Sequence, residues 1–259
     1  MRKRWGWILA GGLLLCAALV AVGLTIFRGQ SSMELVTFSA PDGLTVSGDL
    51  YLTRDKAAPF VLLFHQAGYS RAEYREIAPK LNRLGYNCLA VDQRSGRSFQ
   101  GVTNETNKAA KEKKLATGYA DAYLDLVGAL DYVEEQFSPE TMIVWGSSYS
   151  ASLALILAAE HPEEIDAVLS FSPGEYFLYN DQRVEDYVAQ ITQPVFITSA
   201  KHEENSWRGI ADRISSAGCL FFVPEEAGVH GSSALLEQTP NHAEYWRAVE
   251  QFLLSLRAE

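Results

Sequence analysis

The chain has 259 residues, 47% of them hydrophobic and 21% charged, with a formal net charge of −10. That is the balance of a folded body with one sizeable core, not of a disordered chain. Residues 1–30 hold Arg2, Lys3, Arg4 and Arg28 and no Asp or Glu, so the rest sets 18 basic residues against 32 acidic ones. With no basic stripe, that excess argues against a nucleic-acid partner, whose phosphates need clustered Lys and Arg.

Residues 5–27 carry no charge and number 23. As a helix at about 1.5 Å per residue they would span roughly 34 Å, enough for a bilayer core. Basic residues precede the run, so the positive-inside rule predicts a cytoplasmic N-terminus and an exported body. The run exceeds a typical signal-peptide core, which favours an uncleaved signal anchor over 1–28; secretion after cleavage is the alternative. Residues 29–33 read as a linker and 34–259 as one domain.

In the domain, 34–38 and 44–52 read as two strands joined by Ala40-Pro41-Asp42-Gly43, an N-terminal hairpin. The apolar run 60–64 predicts a strand covered on both faces. A helix is expected over 71–84, with Tyr74, Ile77, Ala78, Leu81 and Leu84 at helical spacing and Gly85 as its stop. A strand at 87–91 leads into a long polar loop to about 117, which contains the formal glycosylation triplet Asn104-Glu105-Thr106. Then follow a helix 119–136, a strand 142–145, a small-residue helix 149–160 and a strand 167–171. Strands 194–198 and 220–223 flank a helix 204–215. Thr239 is expected to cap a last helix from Pro240. Strands alternating with helices predict an α/β fold, a mainly parallel sheet with helices on both faces, and 171–194 is too short for a large cap domain.

Cys16, Cys88 and Cys219 form no CxxC or Cys/His cluster, so neither a zinc site nor a disulfide framework is signalled, and the last two read as inert thiols. No metal or organic cofactor is implied, since His/carboxylate ligand spacing and G-x-G-x-x-G are both missing from the sequence.

Between strand 142–145 and helix 149–160 lies Gly146-Ser147-Ser148-Tyr149-Ser150. A serine on a sharp strand-to-helix turn needs small residues two before and two after it. Ser148 has Gly146 and Ser150 there, whereas Ser147 would have Trp145 and Tyr149. Ser148 is therefore the candidate nucleophile, although Ser150 departs from the usual second glycine.

The segments Phe64-His65-Gln66-Ala67-Gly68 and Leu89-Ala90-Val91-Asp92-Gln93-Arg94-Ser95-Gly96, with this turn, resemble the α/β-hydrolase superfamily, closest to its capless, dienelactone-hydrolase-like serine hydrolases. The resemblance implies an oxyanion hole from the backbone N–H groups of Ala67 and Tyr149, with Gln66 as the alternative donor. It also implies the chain order nucleophile, acid, histidine. His230, in the Gly-flanked loop Ala227-Gly228-Val229-His230-Gly231 after the last strand, is the expected base. His65 reads as a loop-shaping strand-end residue, His161 as a helix-end residue, and His242 lies in the first turn of the last helix. Aligning Ala200-Lys201-His202-Glu203 with the family's acid loop makes Glu203 the acid, with Glu204 and Glu175 as fallbacks.

The expected function is hydrolysis of small-molecule carboxylic esters through an acyl-enzyme on Ser148. Acyl transfer or peptidase work on the same triad is one rival. A membrane-tethered, non-catalytic ligand binder of the same fold is another.

Overall fold

The computed structural model describes residues 33–257. The anchor expected over 1–28 and linker residues 29–32 lie outside them. Among the described residues, no helix is long and apolar enough to cross a membrane.

Eight strands form one sheet: β1 (Met33–Ser39), β2 (Thr45–Tyr51), β3 (Phe60–Phe64), β4 (Asn87–Val91), β5 (Met142–Ser147), β6 (Ala167–Phe171), β7 (Val195–Thr198) and β8 (Leu220–Phe222). Their order is β1-β2-β4-β3-β5-β6-β7-β8. β1 and β2 make the expected antiparallel hairpin, from Met33 opposite Tyr51 to Ser39 opposite Thr45, and β2 lies antiparallel to β4. From β4 to β8 every pairing is parallel.

Side chains alternate across a strand, so each buried strand feeds two cores. Phe60, Leu62 and Phe64 of β3 and Met142 and Val144 of β5 pack on one face with α3 (Tyr123–Phe137) and α4 (Tyr149–Glu160). Val61, Leu63, Ile143 and Trp145 pack on the other with α1 (Ile77–Arg83) and α7 (His242–Ser255). Burying each such side chain is worth about 1.5–3 kcal/mol. α4 is buried from Tyr149 to Ala158 on every side, as a helix apolar all round must be. The remaining α-helices are α2 (Glu105–Glu112), α5 (Val184–Val188) and α6 (Glu204–Ala211).

Several elements depart from expectation. The helix expected over 71–84 is a 3₁₀ turn, Arg71–Tyr74, followed by α1. Pro79 explains the break: in a continuous helix its ring would strike the carbonyl of Arg75 four residues back. The long polar loop contains α2, because Asn104 caps it (Oδ1 accepts the N–H of Asn107 at 2.8 Å) and Thr106 docks on β2 by accepting the N–H of Ser47 at 2.9 Å. α6 stops at Ala211, short of 215. α7 starts at His242, not Pro240, since the Thr239 hydroxyl donates to Ser233 O at 2.8 Å instead of capping. Cys88 and Cys219 are both free, and Cys219 is only half-buried.

Candidate active site

The elbow follows from packing. Ser148 has φ 62° and ψ −127°, a region that side-chain-bearing residues avoid. Its N–H donates to Phe171 O at 2.7 Å, which pins the turn to β6. A Cβ on Gly146 would sit 2.1 Å from Ser150 O, so glycine is required there. Ser150, the departure from the expected glycine, is built into the site. Its hydroxyl donates to His65 O at 2.6 Å and accepts from Gln93 Nε2 at 2.7 Å, tying the elbow to the loops after β3 and β4.

Glu203 and His230 arrive from the ends of β7 and β8 and meet, Oε1 to Nδ1 at 2.5 Å. Glu203 Oε2 accepts from Ser172 Oγ at 2.7 Å and from the Ala200 N–H at 3.1 Å. Burial works against its charge, but the bonds from His230 and Ser172 prevail and hold the carboxyl below its ordinary range. The Ser172 hydroxyl also accepts the Gly231 N–H at 2.9 Å, so one serine fixes both the acid and the loop carrying His230. With Nδ1 so engaged, Nε2 of His230 has no hydrogen-bond partner among the described residues.

The fallback acids are elsewhere. Glu204 pairs with Arg208, and Glu175 accepts the N–H groups of Val184 and Glu185 at 2.8 and 2.9 Å at the start of α5. Gln66 is equally committed: its Nε2 donates to Glu73 Oε1 at 3.3 Å and to Ser233 Oγ at 3.1 Å. The N–H groups of Ala67 and Tyr149, by contrast, have no partner among the described residues. That of Tyr149 opens α4, where the helix dipole favours negative charge.

His65 is a loop-shaping residue. Gln93 N–H donates to its Nε2 at 3.0 Å, so the ring proton sits on Nδ1 and goes to Gln66 O at 2.9 Å. Burial pushes this ring down to about 4 and keeps it neutral. Asn104 also reaches His65 Nε2 (3.2 Å) and Gln93 O (3.0 Å) while 2% exposed, so the glycosylation triplet is closed to a glycan in the folded protein.

Around the rim, Tyr119 stacks on Tyr149 with ring centroids 4.5 Å apart, and the Tyr176 hydroxyl donates to Ser172 O at 2.8 Å. Tyr119 and Tyr176 are 39% and 41% exposed. The sequence assigned Ser172, Gln93, Asn104 and Glu73 no role at this site. Glu73 did leave a trace: it stands one helical turn before Ile77 on the apolar stripe, where a charge is out of place.

A family model described as the alpha/beta hydrolase fold matches residues 59–202, more than half of the chain. The chain belongs to this family. Among curated proteins, epoxide hydrolase B of Mycobacterium tuberculosis is 29% identical over 152 residues, 54% of this chain and 38% of that protein's length. Among solved structures, a dienelactone hydrolase from Anabaena variabilis superposes with a TM-score of 0.66 at 18% identity, covering 88% of this chain and 96% of the other. An esterase from Pyrococcus furiosus gives 0.66 at 18%, covering 87% and 91%. Est1E from Butyrivibrio proteoclasticus, holding ferulic acid, gives 0.67 at 15%, covering 86% and 100%. At such identities the shared property is the fold. The family match ends before His230, so that residue rests on geometry.

Proposed function

We propose that this α/β hydrolase cleaves carboxylic esters through an acyl-enzyme on Ser148, with His230 as base and Glu203 as acid. The observation carrying it is the 2.5 Å Glu203–His230 pair, at the same sheet edge as the strained serine. Ser148 Oγ attacks the acyl carbon as its proton passes to His230 Nε2. The carbonyl oxygen becomes an oxyanion that the N–H groups of Ala67 and Tyr149 can receive. The C–O bond to the alcohol breaks as His230 returns the proton to the leaving oxygen. Water, deprotonated by His230, then releases the acid and restores Ser148. Glu203 fixes the tautomer and stabilises the imidazolium.

The curated relative's named reaction fits this serine poorly. A serine that opened an epoxide would be left as an ether, with no carbonyl for water to attack. An ester avoids that dead end.

Glu203→Gln is expected to lower kcat by about 10²- to 10⁴-fold by presenting the wrong donor to Nδ1, whereas Glu204→Gln keeps wild-type turnover. Steady-state kinetics on p-nitrophenyl acetate check this, and the reverse order would move the acid to Glu204. We further propose that residues 5–27, outside the described residues, anchor the body at the outer membrane face. Carbonate extraction should leave the full chain in the membrane pellet, and release would refute the anchor.

A further inference from the structure

The loop after β3 carries Ala67, and a buried acid that the triad does not use holds it in place. Glu73 is 1% exposed. Its Oε2 accepts the Gln66 N–H at 2.8 Å, and its Oε1 accepts Ser147 Oγ at 2.8 Å and Gln66 Nε2 at 3.3 Å. Ser147 Oγ in turn accepts the N–H of Ser232 at 2.9 Å, two residues past His230. One carboxyl group therefore joins the loop after β3, the elbow strand and the segment following the base. The Gln66 N–H and amide nitrogen can only donate, which suits an ionised carboxylate; the Ser147 hydroxyl completes the set and could accept only from a protonated Oε1.

We propose that Glu73, as a carboxylate, is a positioning residue for the Ser148 reaction, clamping the Gln66 N–H so that the next one, of Ala67, is aimed at the oxyanion. This rests on Ser148 being the nucleophile. Glu73 bonds to neither the Ala67 nor the Tyr149 N–H, so its effect is transmitted through the loop and through Ser147.

The surroundings make this clamp sensitive to pH. The titratable groups facing Glu73 are Tyr74 from its own turn and His230 from the loop after β8. Arg71, on the same turn, is turned away to Asp49 and Asp92 at 2.7 and 2.6 Å. No fixed cation among these offsets the cost of burial. Burial accordingly pushes the carboxyl up to about 7, against its donors and the charge of His230. As pH falls through that value Glu73 takes a proton and the clamp loosens.

The test is the pH profile of kcat/KM on p-nitrophenyl acetate for the wild type, Glu73→Gln and Ser148→Ala. With Glu73 titrating, the acid limb of the wild type should be steeper than that of Glu73→Gln. At pH 8.5, Glu73→Gln should lose about 10- to 100-fold in kcat with KM changed less than about threefold, a fraction of the cost of removing an oxyanion donor outright. Should Glu73→Gln not fold, Ser147→Ala serves. It removes a bond that lowers the Glu73 value, so the acid limb should move to higher pH. An active wild type and an inert Ser148→Ala, with Glu73→Gln unchanged in slope and kcat or the Ser147→Ala limb unmoved, overturn this inference alone. Turnover surviving in Ser148→Ala overturns the nucleophile, and this inference with it.

Discussion

Ser148→Ala is expected to lower ester turnover by about 10⁴- to 10⁶-fold while the melting temperature stays within about 2 °C of wild type. The loss is large because the proposed mechanism has no second nucleophile: Ser147 is turned away, its hydroxyl donating to Glu73 at 2.8 Å inside the protein. The fold is spared because alanine occupies the same backbone conformation, at the same strain, as the serine with φ 62°. Ser148→Gly separates the two effects. It should be as inactive, yet more stable by about 1 kcal/mol, since glycine adopts positive φ without penalty. Steady-state kinetics and calorimetry on the three proteins measure both. A glycine variant no more stable than wild type would mean that the elbow stores no strain.

The second large effect concerns stability. Arg94→Ala is expected to destabilise the domain by about 3–5 kcal/mol, a fall in melting temperature of roughly 10 °C for a body of this size. Arg94 is 2% exposed and joins three parts of the chain. Its Nη1 meets Asp42 Oδ2 in the hairpin turn at 2.7 Å, and its Nη2 meets Asp125 Oδ1 on α3 at 2.8 Å. Its backbone N–H donates to Asp125 Oδ2 at 2.7 Å. Asp125 is fully buried, so removing the guanidinium leaves an uncompensated carboxyl. Burial already pushes that carboxyl up to about 6 despite Arg94, and without Arg94 it rises further and takes up a proton. The deficit should therefore be smaller at pH 5 than at pH 8. Thermal melts at both values test this, and a shift below about 2 °C at pH 8 would contradict it.

The sequence made the fold's frame readable because that frame repeats. Apolar runs such as Phe60–Phe64 and Asn87–Val91 have a strand's length, and the small residues around Ser148 mark a turn that only a narrow set of sequences can make. Glu203 and His230 were expected from the resemblance to the family's loops and its chain order. What could not be read depends on partners far apart in sequence. Arg94 and Asp42 are 52 positions apart, and Ser172 sits 31 from Glu203 and 59 from Gly231. No periodicity connects such residues. α2 is hidden from the sequence for a related reason: the polar segment becomes helical through the Asn104 cap and through Thr106, whose partner Ser47 is 59 residues away. The break before α1 is legible in Pro79, although the spacing of apolar residues continues through it.

The central claim is that Ser148 is an activated nucleophile, and covalent capture tests it most directly. Purified protein is treated with a fluorophosphonate, its intact mass measured and the modified peptide sequenced. One adduct per chain on Ser148, lost in Ser148→Ala and formed far more slowly in His230→Ala, is the predicted result. An unlabelled wild type, or an adduct that persists in Ser148→Ala, would contradict it.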